Sequence, residues 1–227
     1  MTDRDAERVE FLPIFPLASV VLFPQVRVPL YIFEPRYRQM TEAALGASGR
    51  IGMVTVVPEQ VDLIGHDPEI FPIGCAGQIE SSRKRRDGTF DILLEGVFRF
   101  RIERELERPE GQLYREAQVA VLRDDEPEST GHEIERLRTE VHQRYGALLE
   151  RIAPQHVEHF RSMGFDLMPH AVYANTISVS LNIDAVEKQS LLESSSTLVR
   201  LERLLTVLEF KLAEPLTRGP SNPVSVQ

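Results

Sequence analysis

Residues 11–40 read FLPIFPLASVVLFPQVRVPLYIFEPRYRQM, an apolar stretch punctuated by Pro13, Pro16, Pro24, Pro29 and Pro35. Proline offers no N–H to a hydrogen-bonded ladder and pushes the residue before it toward extended geometry, so the chain must run as strands and turns before any helix begins. Val26, Val28, Leu30 and Ile32 alternate with Gln25, Arg27, Pro29 and Tyr31, the two-residue period of a strand with one face in a core. Pro35 can then occupy the first turn of a helix on which Tyr37, Met40, Ala44 and Leu45 recur at helical spacing, and Gly46 supplies a stop.

Working outward, residues 51–57 form a continuous apolar run closed by Pro58, which reads as a strand covered on both faces. Residues 61–72 read as loop with short extended pieces. Asp87-Gly88 suits a tight hairpin turn, because both residue types tolerate positive φ. After it Phe90, Ile92, Leu94, Phe98, Phe100 and Ile102 all fall on even positions, with Gly96 at the centre of the series and Asp91, Glu95, Arg99 and Arg101 on odd ones. A strand this long is expected to bend at its glycine, as strands do when a small sheet curls into a barrel. Leu113, Ala117, Val119 and Val121 give one more alternating strand. Residues 11–122 therefore predict a β-barrel-like unit carrying one helix.

Composition changes at Arg123-Asp124-Asp125-Glu126-Pro127-Glu128, an acidic hinge expected to lie outside any core and to favour the start of a following helix. Thr130 and Glu133 stand at capping-box spacing, and Ile134, Leu137, Val141, Tyr145, Leu148 and Ile152 step by three and four as far as Pro154. Residues 169–181 read as a further helix, Asp184 with Glu187 as the start of a short one, and Ser194, Ser195 and Ser196 as a restart. From there Leu198, Leu201, Leu205, Leu208 and Leu212 continue the helical rhythm. The sequence thus predicts an α+β chain: a barrel-like subdomain with one helix over 1–123, an all-α bundle over 124–214, and a disordered tail over 215–227.

At 227 residues the chain can bury a sizeable core without disulfides or structural metal. Its single cysteine, Cys75, sits in an apolar run and reads as a small buried residue, which fits a reducing cytoplasm. The opening MTDRDAERVE lacks the pattern of a signal peptide, and no segment is long and apolar enough to span a bilayer, so a cytoplasmic location and no membrane partner are expected. A net charge of −9 and a pI near 5.3 argue against a general polyanion binder, because duplex affinity comes largely from clustered cations.

Several short pieces, taken in order, resemble the N-terminal domain of Lon proteases: Pro16-Leu17, Phe23-Pro24, Pro29-Leu30, Ile32-Phe33-Glu34, Arg36-Tyr37 with Met40, Gly74 and Gly77 before Ile79, Asp87-Gly88, Leu93-Leu94-Glu95-Gly96, and Arg99-Phe100-Arg101-Ile102. Ala174-Asn175, Glu187-Lys188-Gln189, Leu191-Leu192-Glu193 and Arg200-Leu201 resemble its helical half. The resemblance implies a PUA-like β-barrel followed by a helical bundle, in a domain that engages polypeptide substrates and helps organise an oligomer. Full-length Lon adds ATPase and protease modules, which 227 residues are not expected to hold. No G-x-x-x-x-G-K-[ST] loop or G-x-S-x-G elbow occurs. Gly219-Pro220-Ser221 has no lysine after Lys211 to serve as a base. The expectation is a binding module with no enzymatic activity and no cofactor.

The candidate polypeptide- or protein-binding residues are Phe15, Phe23, Pro24, Tyr31, Phe33, Arg36, Tyr37 and Phe71, clustered around proline turns. Each alone is expected in the core; an exposed subset would line an apolar groove at the seam between barrel and bundle. Glu34, Arg36 and Arg99 interrupt apolar runs and are expected to be paired. Arg83, Lys84, Arg85 and Arg86 form the one basic cluster, at the hairpin tip. PUA-like folds elsewhere bind RNA, which makes these four the nucleic-acid alternative, opposed by the acidic remainder of the chain. His156, Glu158 and His159 lack zinc-site spacing and read as a solvated turn, and His132 and His142 read as surface residues, so no metal site is expected.

Overall fold

A computed structural model describes residues 9–124 and 130–215. Six strands are present: β1 (Val9–Leu17), β2 (Arg27–Ile32), β3 (Arg50–Thr55), β4 (Ile73–Lys84), β5 (Phe90–Glu105) and β6 (Arg115–Leu122). They form one sheet in the order β2-β5-β4-β3-β1-β6, and β6 pairs back onto β5. Among the named strands its one parallel pairing is β1 with β3, bridged by a connection that carries helix α1 (Pro35–Leu45).

β5 curls the sheet. Its first half pairs with β2, from Phe90 opposite Ile32 to Glu95 opposite Arg27, and its second half pairs with β6, from Arg99 opposite Leu122 to Glu105 opposite Ala117. Gly96 lies between the halves, and a register shift against β4 falls beside it. Here the glycine is needed for close approach: a Cβ at Gly96 would lie 2.0 Å from the Phe23 carbonyl oxygen. The backbone there is held by Gln25 N–H donating to Gly96 O at 2.7 Å and Gly96 N–H donating to Val26 O at 2.9 Å. The bend expected at Gly96 is present. The barrel is met by a curled six-stranded sheet that keeps β2 as an edge, since β2 pairs with β5 alone among the named strands.

Two expectations change in detail. At the β4–β5 hairpin only Gly88 has positive φ, +83°, while the Asp87 carboxylate accepts from Thr89 N–H at 3.0 Å and Thr89 Oγ1 at 2.7 Å. The turn spreads from Arg85 to Thr89, whose N–H and carbonyl close it at 2.8 Å. Pro58–Leu63, partly read as loop, winds into a 3-10 turn.

The helical half contains α2 (Gly131–Ile152), α3 (Val157–Ser162), α4 (His170–Ser180), α5 (Ala185–Leu192) and α6 (Thr197–Ala213). Asp184 and Glu187 form the expected capping box at α5, and Ser196 caps α6 by accepting from Val199 N–H at 3.2 Å. The box expected at α2 does not form. Thr130 makes no capping bond to the helix, and Glu133 pairs with Arg136 instead. One apolar cluster joins both halves, with Phe15, Leu22, Met40 and Leu94 in the same core as Leu137, Tyr173, Leu201 and Leu208. A smaller cluster built around Ile14, Phe100 and Val119 lies within the sheet. Among the described residues no helix is long and apolar enough to cross a membrane.

Polar bonds lock the seam between the halves. Arg99 and Arg200 are only 4% and 1% exposed, yet both guanidiniums reach the carboxylate of Asp124. Arg99 Nη1 also donates to Leu192 O at 2.9 Å and Ser194 O at 2.6 Å, and Arg200 Nε donates to Leu191 O at 3.1 Å. Thr55 Oγ1 donates to Gln189 Oε1 at 2.7 Å, while Gln189 Nε2 donates to Ile73 O at 2.9 Å and Asn175 Nδ2 to Pro24 O at 3.0 Å. The acidic segment expected outside the core therefore begins with a residue inside the seam: Asp124 is drawn in because two buried cations need a counter-charge. Residues 125–129, which include the rest of that segment, and residues 216–227 of the expected tail lie outside the described residues.

Removing Asp124 while both arginines stay buried leaves two desolvated cations without an anion. Asp124→Ala should lower unfolding stability by about 3 kcal/mol in urea titration, whereas Asp124→Asn, which keeps one acceptor oxygen, should lose less. Equal stability of wild type and Asp124→Ala would refute this account of the seam.

Candidate functional site

The edge strand β2 shows why its sequence alternates. Val28, Leu30 and Ile32 pack against the core, and Arg27, Pro29 and Tyr31 face outward. Register places Pro29 opposite Leu93 and Tyr31 opposite Asp91 on β5. Phe33 continues the outward series just past the strand. Tyr31 and Phe33 are each 49% exposed and stack with ring centroids 5.8 Å apart.

Charged pairs bound this apolar stripe. At one end Arg85 lies over the Tyr31 ring, 4.7 Å from its centroid, and grips Asp91 through two bonds of 2.8 and 2.7 Å. That grip holds the Asp91 carboxyl below its ordinary range. At the other end Arg27 meets Glu80 at 2.8 Å and Glu95 at 3.4 Å. A hydrogen bond between these two carboxyls raises Glu80 and lowers Glu95. Guanidinium against ring and carboxylate fixes the aromatic surface without burying it.

Among the eight candidate residues, Tyr31 and Phe33 form the exposed pair. Phe15, Phe23 and Tyr37 are core, with Phe15 and Tyr37 in ring contact at 4.4 Å. Pro24 is half-buried and bridges to Gly96. Phe71 is half-buried, and its N–H donates to Thr55 O at 2.9 Å. Arg36 pairs with Glu34 at 2.8 Å and lies 4.3 Å over the Tyr37 ring, so both charges are matched as expected. The sequence signal that was missed is Leu93, an apolar residue on the odd, outward face of β5.

The basic tip is divided among neighbours. Lys84 pairs with Glu42 at 2.6 Å, and Arg85 is committed to Asp91 and Tyr31, while Arg83 and Arg86 stand exposed. Two of the four cations thus already have carboxylate partners, which weakens the case for a phosphate-binding surface.

His142 departs from its reading as a surface residue. It is half-buried and stacks on Phe160 with centroids 4.6 Å apart, inside an aromatic cluster with Phe165 and Tyr173. His156 and His159 are exposed and border a cavity of about 450 Å³ between α2, α3 and α4. This concavity lies within the helical half, and the seam, where a groove was expected, is crossed by the bonds of Arg99 and Gln189. Cys75 is fully buried, and burial pushes its thiol far up. Among the described residues no group of three or more His, Cys, Asp or Glu side chains is placed to hold a metal ion.

The family model for the ATP-dependent protease La (LON) substrate-binding domain matches residues 11–209. The chain belongs to this family. It is 30% identical over 221 residues to the Lon protease of Rhizobium meliloti (strain 1021), covering 94% of this chain and 26% of that protein. It is 28% identical over 214 residues to the Lon protease of Escherichia coli (strain K12), covering 93% and 26%. The chain therefore spans about a quarter of the length of these curated relatives. Among solved structures, the N-terminal domain of the Mycobacterium avium complex Lon protease superposes with a TM-score of 0.68 at 18% identity, covering 88% of this chain and 98% of that one. The Lon N-terminal domain protein from Xanthomonas campestris gives a TM-score of 0.59 at 25% identity, covering 87% and 98%.

In this Lon substrate-binding domain Tyr37 also reports on fold integrity. Burial is the main cause that pushes its phenol up to about 12, and its hydroxyl donates to Pro16 O at 3.3 Å. The folded state then holds a proton that the unfolded state releases near pH 10, so stability is intact below pH 10 and falls as pH rises from there toward 12. Urea midpoints measured between pH 9 and 11.5 should fall with pH, and Tyr37→Phe should flatten part of that fall.

Proposed function

We propose that the chain is a non-catalytic module that captures extended polypeptide or a protein partner in the cytoplasm through the apolar stripe of Pro29, Tyr31, Phe33 and Leu93. The observation that carries this reading is the stacked Tyr31–Phe33 pair, half exposed on an edge strand and braced by Arg85. Aromatic rings bring large contact area at little side-chain entropy cost and dominate many binding surfaces. The family description, a substrate-binding domain, supports the same reading. In this reading the sheet half, residues 1–123, presents the stripe, and the helical half from residue 124 holds its strands in place.

The stripe acts through side chains more than through strand addition, because Pro29 at the middle of β2 has no N–H to offer an added strand. A partner would lay alternate apolar side chains across Tyr31, Phe33 and Leu93.

The test is fluorescence anisotropy with a labelled, reduced and carboxymethylated protein as the extended ligand. A Tyr31→Ala/Phe33→Ala double variant should bind at least about tenfold more weakly while its melting temperature stays close to wild type, since both residues are exposed. Unchanged affinity would remove the stripe from the function.

A further inference from the structure

The cavity in the helical half lies apart from the β2 stripe, and its chemistry differs. Its walls are the buried side chains of Leu148, Phe160, Phe165, Ile177 and Leu181, and its mouth carries Ile152 and Met163. Among the described residues fifteen line it and none of these is Asp, Glu, Lys or Arg, in a chain that is 27% charged. Two of the three hydroxyls that line it are engaged as donors, Thr176 Oγ1 to Val172 O at 2.8 Å and Ser180 Oγ to Thr176 O at 2.7 Å, and the third, of Tyr145, lies beside Ser180.

Two cations next in the chain to lining residues are engaged as well. Arg151, next in the chain to Ile152, donates to the carbonyls of Leu212 and Glu214. Arg161 pairs with Glu150 at 2.8 Å and Glu158 at 3.2 Å. Among the described residues that line the cavity, an anionic head group would therefore find no guanidinium and a cationic one no carboxylate. His156, His159 and Asn182 remain at the mouth as hydrogen-bonding groups. At about 450 Å³ the cavity falls within the size range of small-ligand sites. An apolar space of this kind gains little from water and gains from a matching apolar body.

We propose that this cavity is a binding site for an uncharged small amphiphile, its aliphatic body among Leu148, Phe160 and Ile177 and its single hydrogen-bonding head at His156, His159 or Asn182. The site is independent of polypeptide capture at the stripe.

The experiment is calorimetric titration of the full chain with the straight-chain alcohols from hexanol to nonanol, with octanoate as the charged counterpart of octanol. Affinity should rise about fourfold per added methylene until the cavity is filled, and octanoate should bind at least tenfold more weakly than octanol. Ile152→Trp and Met163→Trp, both at exposed positions of the mouth, should each weaken octanol at least tenfold, with folding checked by thermal melting. The Tyr31→Ala/Phe33→Ala variant should bind octanol as wild type does, which separates failure here from failure at the stripe. The proposal is overturned by absence of saturable binding, by equal affinity for octanoate, by indifference to both mouth variants in folded protein, or by displacement of octanol by the carboxymethylated protein.

Discussion

Two buried guanidiniums sharing one carboxylate tie the strands of this domain to its helices. Arg99 comes from the second half of β5, Asp124 from just beyond β6, and Arg200 from α6, so three distant parts of the chain meet at one point. The same arginines satisfy carbonyls at the end of α5 and just after it, where a helix leaves its last acceptors unpaired and its dipole favours positive charge. Apolar packing brings the halves together without fixing their angle sharply. A planar guanidinium that must meet a carboxylate and two carbonyls in one geometry does fix it. Because β5 also pairs with the edge strand β2, the orientation set at Arg99 passes along a single strand to the surface where Tyr31 is displayed.

Local patterns made much of this architecture readable. The even-numbered apolar series on β5, the bend at Gly96, the helix begun by Pro35 and the capping box of Asp184 and Glu187 all follow from period, propensity and short-range bonding. Arg99 was readable only as a charge needing some partner. Its acceptors lie 93 and 95 residues away at Leu192 and Ser194, and no local pattern reports such a distance. Asp124 misled for a related reason: an acidic run looks solvated, and one member is drawn inward by cations that sequence alone cannot place beside it. Thr130 and Glu133 had the right spacing for a cap, but Arg136, one turn on, offered Glu133 a charged partner instead.

At the candidate surface Tyr31 and Phe33 are the exposed members of the expected set, and Phe15, Phe23 and Tyr37 are core, as each was expected to be on its own. Aromatic residues beside prolines mark tight turns, and a turn can pack its ring inward as readily as outward. Separation came from strand parity: Tyr31 on the outward face of β2 and Phe33 just past its end are exposed, and Ile32 between them is buried. The basic tip and the aromatic stripe looked like rival sites in sequence, yet Arg85 stands over Tyr31 and makes them one surface. Similarity to the Mycobacterium avium complex structure at 18% identity carries the fold alone, so any argument about binding has to rest on these side chains.

Displaying aromatic rings on an edge strand carries a risk, because an open edge invites pairing with other strands. Pro29 lowers it by removing a donor from the middle of β2, and Arg27 with Glu80 and Glu95 sets charge where a partner strand would otherwise continue. Apolar area can then be shown to a ligand while the backbone beneath it remains a poor template for aggregation. That separation of side-chain adhesion from backbone pairing requires an edge strand whose outward face is apolar and whose edge is interrupted. β2 has both properties because the prolines that force residues 11–40 to extend and turn also interrupt the strand they shape.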